Sequence, residues 1–167
     1  MVKKQRVAKT EDNNAEEPKL LQKVVEIKRV SQKTKGGNRL GFSCLAVVGD
    51  GEGSVGLSYS RARDVLSAIK KAMRKAKKKM ISVPLVGEAR TIPHRIELKQ
   101  RAAHVLLKPA PEGTGLIIGG AMRALAEVAG IKNIVGKNLG TRNKKSTLDA
   151  TIKALKMIKE PHERISQ

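Results

Sequence analysis

The sequence predicts an α+β protein built from two small domains, and three patterns predict it. Two apolar, β-branched runs flank a glycine-rich turn and feed a helix-period stretch, a segment punctuated by proline and glycine follows, and the second half then reads β-β-α-β-α. A chain of 167 residues has room for one large core or two compact halves.

Residues 1–19 are polar and of mixed charge, with no periodic apolar positions to bury, and are expected to form a mobile tail. From Leu20, LLQKVVEIKRV alternates apolar and polar residues as a strand does and runs into SQKTKGGNR, read as a polar loop. LGFSCLAVV and SVGLSY then form two antiparallel strands, with GDGEG between them supplying the positive-φ positions of a hairpin reversal. Past Ser60, read as the N-cap, Ala62, Val65, Leu66, Ile69, Ala72, Met73, Ala76 and Met80 recur at three- and four-residue steps. That face is expected to lie on the hairpin. The opposite face carries Lys70, Lys71, Arg74, Lys75, Lys77, Lys78 and Lys79, with no acidic residue between Asp64 and Glu88 to pair with them.

ISVPLVGEARTIPHR, with two prolines and a glycine, reads as the connection between the halves. A boundary near Gly87 gives domains at 20–87 and 88–160, with 161–167 as a second tail. HRIELKQ and AHVLLKPA are strand-like, PEGTGLIIGG is a loop, and a helix is expected from about Gly120 to Ala129 with Gly130 as its C-cap. Asn133 to Leu139 is another apolar run. From about Ser146, Leu148, Ile152, Leu155 and Ile158 mark a last helix that Pro161 closes. This order suits a sandwich with helices on one sheet face.

Charge is the strongest functional signal. A net charge of +20 repels itself in the compact state and concentrates polyanions around the protein, so nucleic acid is the first candidate partner. An anionic membrane is less suited, because the basic helix offers alanine and methionine, and the chain has no tryptophan, for an interfacial anchor. Residues 21–87 hold fifteen basic and four acidic side chains, so they carry +11 of that charge. Within them, Lys28, Arg29, Lys33, Lys35 and Arg39 cluster around Gly36 and Gly37, where bare backbone can come close to a phosphate.

Other chemistry finds little support. No run approaches the roughly 20 apolar residues of a membrane span, and the N-terminus lacks the apolar stretch of a signal peptide. Cys44 is the single cysteine, which excludes an intrachain disulfide and a cysteine-based zinc site. His94, His104 and His162 have no metal-ligand spacing, and no acid, base and nucleophile set emerges, so neither cofactor nor enzymatic activity is expected. GDGEG has the glycine spacing of a phosphate cradle, but a strand follows it where a phosphate loop opens a helix. GTGLIIGGAMRA does open a helix, yet it lacks the lysine of a P-loop. Phe42 and Tyr59 are the only aromatics and are assigned to the core, which leaves no base-stacking platform and favours recognition by phosphate contact and RNA shape.

The motifs KRVSQKTKGG, LAVVGDGEGSVG, AIKKAMRKAKKKM and LLKPAPEGTGLIIGGAMRALAEVAGIKNI, in this order between about Leu20 and Leu155, resemble the universal small-subunit ribosomal protein S-five family in its bacterial form. The resemblance implies an N-terminal sheet-and-helix domain similar to double-stranded-RNA-binding modules and a C-terminal α/β sandwich with a left-handed βαβ unit. It also implies a structural rRNA-binding protein in the cytoplasmic small ribosomal subunit, beside the path by which mRNA enters. Neighbouring proteins S-four and S-eight are implied partners, and an influence on decoding accuracy is the implied role. A free-standing double-stranded-RNA-binding module or RNA chaperone is the alternative.

The family's extended rRNA-inserting loop, near its spectinomycin site, corresponds here to Arg29, Val30, Ser31 and Gln32, continuing through Lys35, Gly36 and Gly37. Its contact with S-four corresponds to Gly113, Gly115, Gly119, Gly120 and Arg123. Departures from the family pattern are Gln32 in place of a usual lysine with Lys33 charged beside it, Asn38 in place of a common arginine, SYSRA in place of GYGKA, and a TRNKKSTLDA without the usual proline and valines. Together with Lys28, Lys33 and Arg39, the helix cations Lys70, Lys71, Arg74, Lys75 and Lys78 complete the expected RNA-binding set.

Overall fold

The computed structural model describes residues 20–158. The tails expected at 1–19 and 161–167, and the stop assigned to Pro161, lie outside these residues. The first sheet is antiparallel and runs in the order β1 (Leu21–Thr34), β2 (Gly37–Gly49), β3 (Ser54–Ala62) and β4 (Met80–Ser82), with helix α1 (Val65–Lys77) between β3 and β4. The second contains β5 (Ile96–Gln100), β6 (Ala103–Pro109), β7 (Leu116–Ile117) and β8 (Ile134–Asn138) in the order β5-β6-β8-β7. Helix α2 (Gly120–Ala129) connects β7 to β8, its parallel neighbour, and α3 (Lys144–Met157) follows.

Several expected boundaries move. SQKTKGGNR is not a loop but the outer end of a hairpin: Thr34 pairs with Gly37 and Lys33 with Asn38, so Lys35 and Gly36 alone make the turn. No apolar alternation marks this arm, because both its faces are exposed. Ser60 does not cap α1; it lies in β3 opposite Cys44, and Asp64 is the cap, its Oδ2 accepting the Ser67 N–H at 3.3 Å. Ala62 and Met80, counted on the helix face, belong to β3 and β4, while Leu66 is 66% exposed and Ala68 takes the buried place. The connection after Met80 begins as β4, and the PEGTGLIIGG loop contains β7, both too short for a periodic signal. α3 starts at Lys144, two residues before Ser146, because Asn143 Oδ1 accepts the Lys145 N–H. The helix Gly120–Ala129 and its left-handed Gly130 cap, at φ 79°, stand as expected.

Two apolar layers sandwich the first sheet. On one face Ala68, Ala72 and Ala76 of α1 are fully buried, and Cys44 and Ala46 meet them with Phe42, Ile69 and Met73 alongside. Alanine at every fourth position lets the helix lie close to the strands; a Cβ on Gly56 would fall 2.3 Å from the Ala76 carbonyl oxygen. On the other face Leu45, Val47 and Val55 join Met122, Leu125, Val128, Leu148 and Leu155 in one core that spans both halves. Helices α2 and α3 contact both sheets and so lie between them.

The GDGEG turn fastens the halves together. Gly51 and Gly53, at φ 76° and 107°, donate their N–H groups to the Val128 and Ala129 carbonyls at the end of α2. Asp50 Oδ1 accepts from the Glu52 and Ser54 amides and holds the turn's shape, and Arg90 Nη2 donates to the Gly51 carbonyl at 3.0 Å. These amides are committed to protein partners rather than turned toward a ligand.

Candidate nucleic-acid interface

The hairpin arm owes its form to pairing without burial. Thr34 Oγ1 donates to the Gly37 carbonyl at 2.8 Å across the turn, and a Cβ on Gly36 would meet nothing within 4 Å. From residue 31 to residue 40 every side chain is exposed, and Val30 is half-buried at the root. Cross-strand partners in an antiparallel ladder share a face. Hence Arg29, Ser31, Lys33, Asn38 and Leu40 share the face of Cys44 and Phe42, on which α1 packs, whereas Lys28, Val30, Gln32 and Arg39 share the face of Ser43, Leu45, Tyr59 and Arg61.

Two positive surfaces result. The first comprises Arg29 and Lys33 on the sheet face that α1 covers, Lys70, Lys71, Arg74 and Lys75 of α1, and its C-cap Lys78, all exposed. Lys71 Nζ also reaches the Arg61 carbonyl at 3.3 Å, tying α1 to β3. The second faces the other half of the molecule and forms a cleft lined by Glu26, Lys28, Val30, Ser43, Tyr59, Arg61, Asn143 and Lys145. There Lys145 Nζ lies 4.7 Å and Arg61 Cζ 5.6 Å from the centre of the Tyr59 ring, and Arg61 Nε donates to the Tyr59 hydroxyl at 3.1 Å. Hydrogen bonds from Ser43 and Arg61 draw the Tyr59 pKa below its ordinary value, with the nearby positive charges adding to the effect. Tyr59 thus packs on the core, as expected, but its outer side belongs to this cleft.

The carboxylate in the cleft is already occupied. A bulge between Val24 and Glu26 turns both Val25 and Glu26 toward the second half, and Glu26 takes ion pairs at 3.1 Å from Lys28 and from Lys144 of α3. Desolvation pushes its pKa up, but the Lys144 and Lys28 ammonium groups outweigh burial and leave it below the usual glutamate value. Neither Arg61 nor Lys145 forms an ion pair with a carboxylate among the described residues.

The residues expected to touch a protein partner form a separate locus. Gly113 and Gly115 hold positive φ in the turn before β7, and Gly115 N–H donates to the buried Asn133 Oδ1 at 2.9 Å. Asn133 also donates from Nδ2 to the Ala89 carbonyl at 2.6 Å, so it anchors this loop to the connection. Gly119 and Gly120 open α2 beside Arg142 and Lys144. Arg123 is engaged within the chain: its Nε donates to Glu127 Oε1 at 3.0 Å, and the other Glu127 oxygen accepts from Lys23 of β1.

Arg61, Asn143 and Lys145 were absent from the sequence-based site. The spacing of Tyr59 and Arg61 within SVGLSYSRA is the local signal for the first, since residues two apart on a strand share a face. Lys145 arrives from more than eighty residues away in sequence, and no local pattern announces it.

Family models match both halves. The one described as "Ribosomal protein S5, N-terminal domain" covers residues 20–84, and the one described as "Ribosomal protein S5, C-terminal domain" covers residues 98–167. The chain belongs to the ribosomal protein S5 family. It is 47% identical to the "Small ribosomal subunit protein uS5" of Nitrosococcus oceani over 150 residues, 90% of this chain and 87% of that one. The namesake protein of Syntrophobacter fumaroxidans is 49% identical over 140 residues, 84% and 83% of the two chains. That of Nocardia farcinica is 44% identical over 151 residues, 90% and 68% respectively. The S5 relatives are bacterial, and they are ribosomal structural proteins rather than enzymes. The two-domain S5 architecture gives the two sheets their context. No helix among the described residues is long and apolar enough to cross a membrane.

Proposed function

We propose that this chain is a structural, rRNA-binding component of the bacterial small ribosomal subunit in the cytoplasm. The observation that carries the reading is the exposed β1–β2 hairpin arm, whose Arg29 and Lys33 lie on the sheet face on which the lysine-bearing helix α1 packs. The paired backbone of the arm fixes which face each cation is on, and the arm carries its lysines and arginines toward phosphates as a unit. With no base-stacking aromatic on the arm, phosphate contact and RNA shape dominate recognition.

In the same reading, the arm inserts into rRNA close to the path by which mRNA enters, and the protein supports assembly and decoding accuracy. The glycine turn at Gly113 and Gly115 and the helix opening at Gly119 and Gly120 take S-four, with S-eight a second protein neighbour. The first domain is similar to double-stranded-RNA-binding modules, and β7–α2–β8 is the left-handed βαβ unit. Cell fractionation tests the whole: the protein co-sediments with small subunits through a moderate salt wash and crosslinks to their rRNA through residues 28–39. Recovery from the free pool alone would favour a free-standing RNA-binding module.

A further inference from the structure

We infer that the cleft between the first sheet and α3 is a second RNA-backbone site, in which Arg61 and Lys145 hold phosphodiester groups on either side of Tyr59. This deepens the rRNA-binding reading and rests on it.

The cleft encloses about 270 Å³ and is open to solvent. Three cations line it, Lys28, Arg61 and Lys145, against the single carboxylate of Glu26, which Lys28 and Lys144 already engage. Arg61 and Lys145 instead rest against the Tyr59 ring, a weak partner that leaves their outward N–H donors free for an anion. Arg61 is held by its bond to the Tyr59 hydroxyl, and the first turn of α3 fixes the Lys145 backbone beside the same ring.

The cleft also points the occupant's way out. Val30 and Arg61 line both this cleft and an adjoining groove, which continues along Gln32, Arg39, Leu40 and Arg63 toward the arm. A single free phosphate would satisfy the cleft alone. A polymer with a phosphate every few ångströms also satisfies Arg63 and Arg39 in the groove, so RNA backbone is the occupant the layout favours. The arm would then be gripped from both faces, by one RNA segment along α1 and another along the cleft.

The test uses the full chain and a transcribed bacterial small-subunit rRNA. Each phosphate contact removed should lower the slope of log affinity against log salt by about 0.7–0.9. Arg61→Gln with Lys145→Gln should therefore lower it by about 1.4–1.8, as should Lys33→Gln with Lys35→Gln, and all four together by the combined amount. Arg61→Lys with Lys145→Arg, which keeps the charge, should restore the slope. If the arm pair lowers the slope and the cleft pair does not, the cleft inference is overturned and the rRNA reading stands. If neither does, that reading itself fails. Amine acetylation followed by mass spectrometry provides a measurement independent of variant folding: rRNA should protect Lys145, and millimolar inorganic phosphate should not. Protection by phosphate alone, without rRNA protection, would overturn RNA as the occupant.

Discussion

A Cβ on Gly130 would stand 1.8 Å from the carbonyl oxygen of Gly51. Gly130 closes α2 in the second domain, Gly51 sits in the β2–β3 turn of the first, and Gly130 cannot grow a side chain without parting the domains. Gly130 also holds φ 79°, where alanine is strained by about 1–3 kcal/mol. Gly130→Ala should therefore lower the melting temperature of the full chain by roughly 5–10 °C, strain and clash together. Because one apolar core spans both domains, calorimetry should show a single transition, in wild type and variant, with calorimetric and van't Hoff enthalpies equal. Two separated transitions would mean that the domains melt independently.

Acid should loosen the same junction. Glu127 accepts from Lys23 and Arg123, and Glu26 pairs with Lys144 and Lys28, so each carboxylate links β1 to a second-domain helix. The Lys23 ammonium, with Arg123, holds the Glu127 pKa below its ordinary value despite burial, and Glu26 is lowered as well. A carboxyl depressed in the folded state stabilises it above the unfolded pKa, and that stabilisation is lost as pH falls through the folded pKa. Stability should thus decline below about pH 4.5, and Glu26→Gln with Glu127→Gln should flatten the decline while lowering stability at neutral pH. Urea melts across this range read both effects; an unchanged slope in the double variant would remove these pairs from the account.

Ser60 is a third test. Its Oγ is buried in β3 without a hydrogen-bond partner, opposite the buried Cys44. Ser60→Ala removes a desolvated hydroxyl and keeps the strand, so it should leave stability unchanged or raise it by about 1 kcal/mol. A loss above that amount in a denaturant melt would reveal a partner for the hydroxyl, such as bound water.

The parts of the fold that were legible in the sequence are those with a buried face. The β2–β3 hairpin, the Gly120–Ala129 helix and its cap, and β5, β6 and β8 all carry apolar periodicity against one core. The hairpin arm did not, because exposure on both sides removes the alternation that marks a strand. Ser60 gives way to Asp64 as the cap of α1 because β3 continues to Ala62 through its pairing with Phe42, a tertiary fact. Of the candidate interface, the arm and the α1 lysines could be read from charge runs. The cleft could not, since it exists only where Lys145 is brought to Tyr59 by folding.

That the arm is a strand gives the placement of charge at Lys33 rather than at Gln32 a definite consequence. In a loop the two positions are nearly interchangeable, but on β1 they face opposite ways: Lys33 points with Arg29 toward the α1 side, and Gln32 pairs across to Arg39 on the cleft side. Lys33→Gln should reduce the salt slope for rRNA by about 0.7–0.9. Adding Gln32→Lys restores the net charge, yet it places the ammonium beside Arg39, where like charges on paired strands repel. The double variant should therefore shift rRNA crosslinks from the α1 side to the cleft side instead of recovering the original ones. Recovery of the wild-type crosslinks with wild-type affinity would show that the arm's face is immaterial and that its charge alone matters.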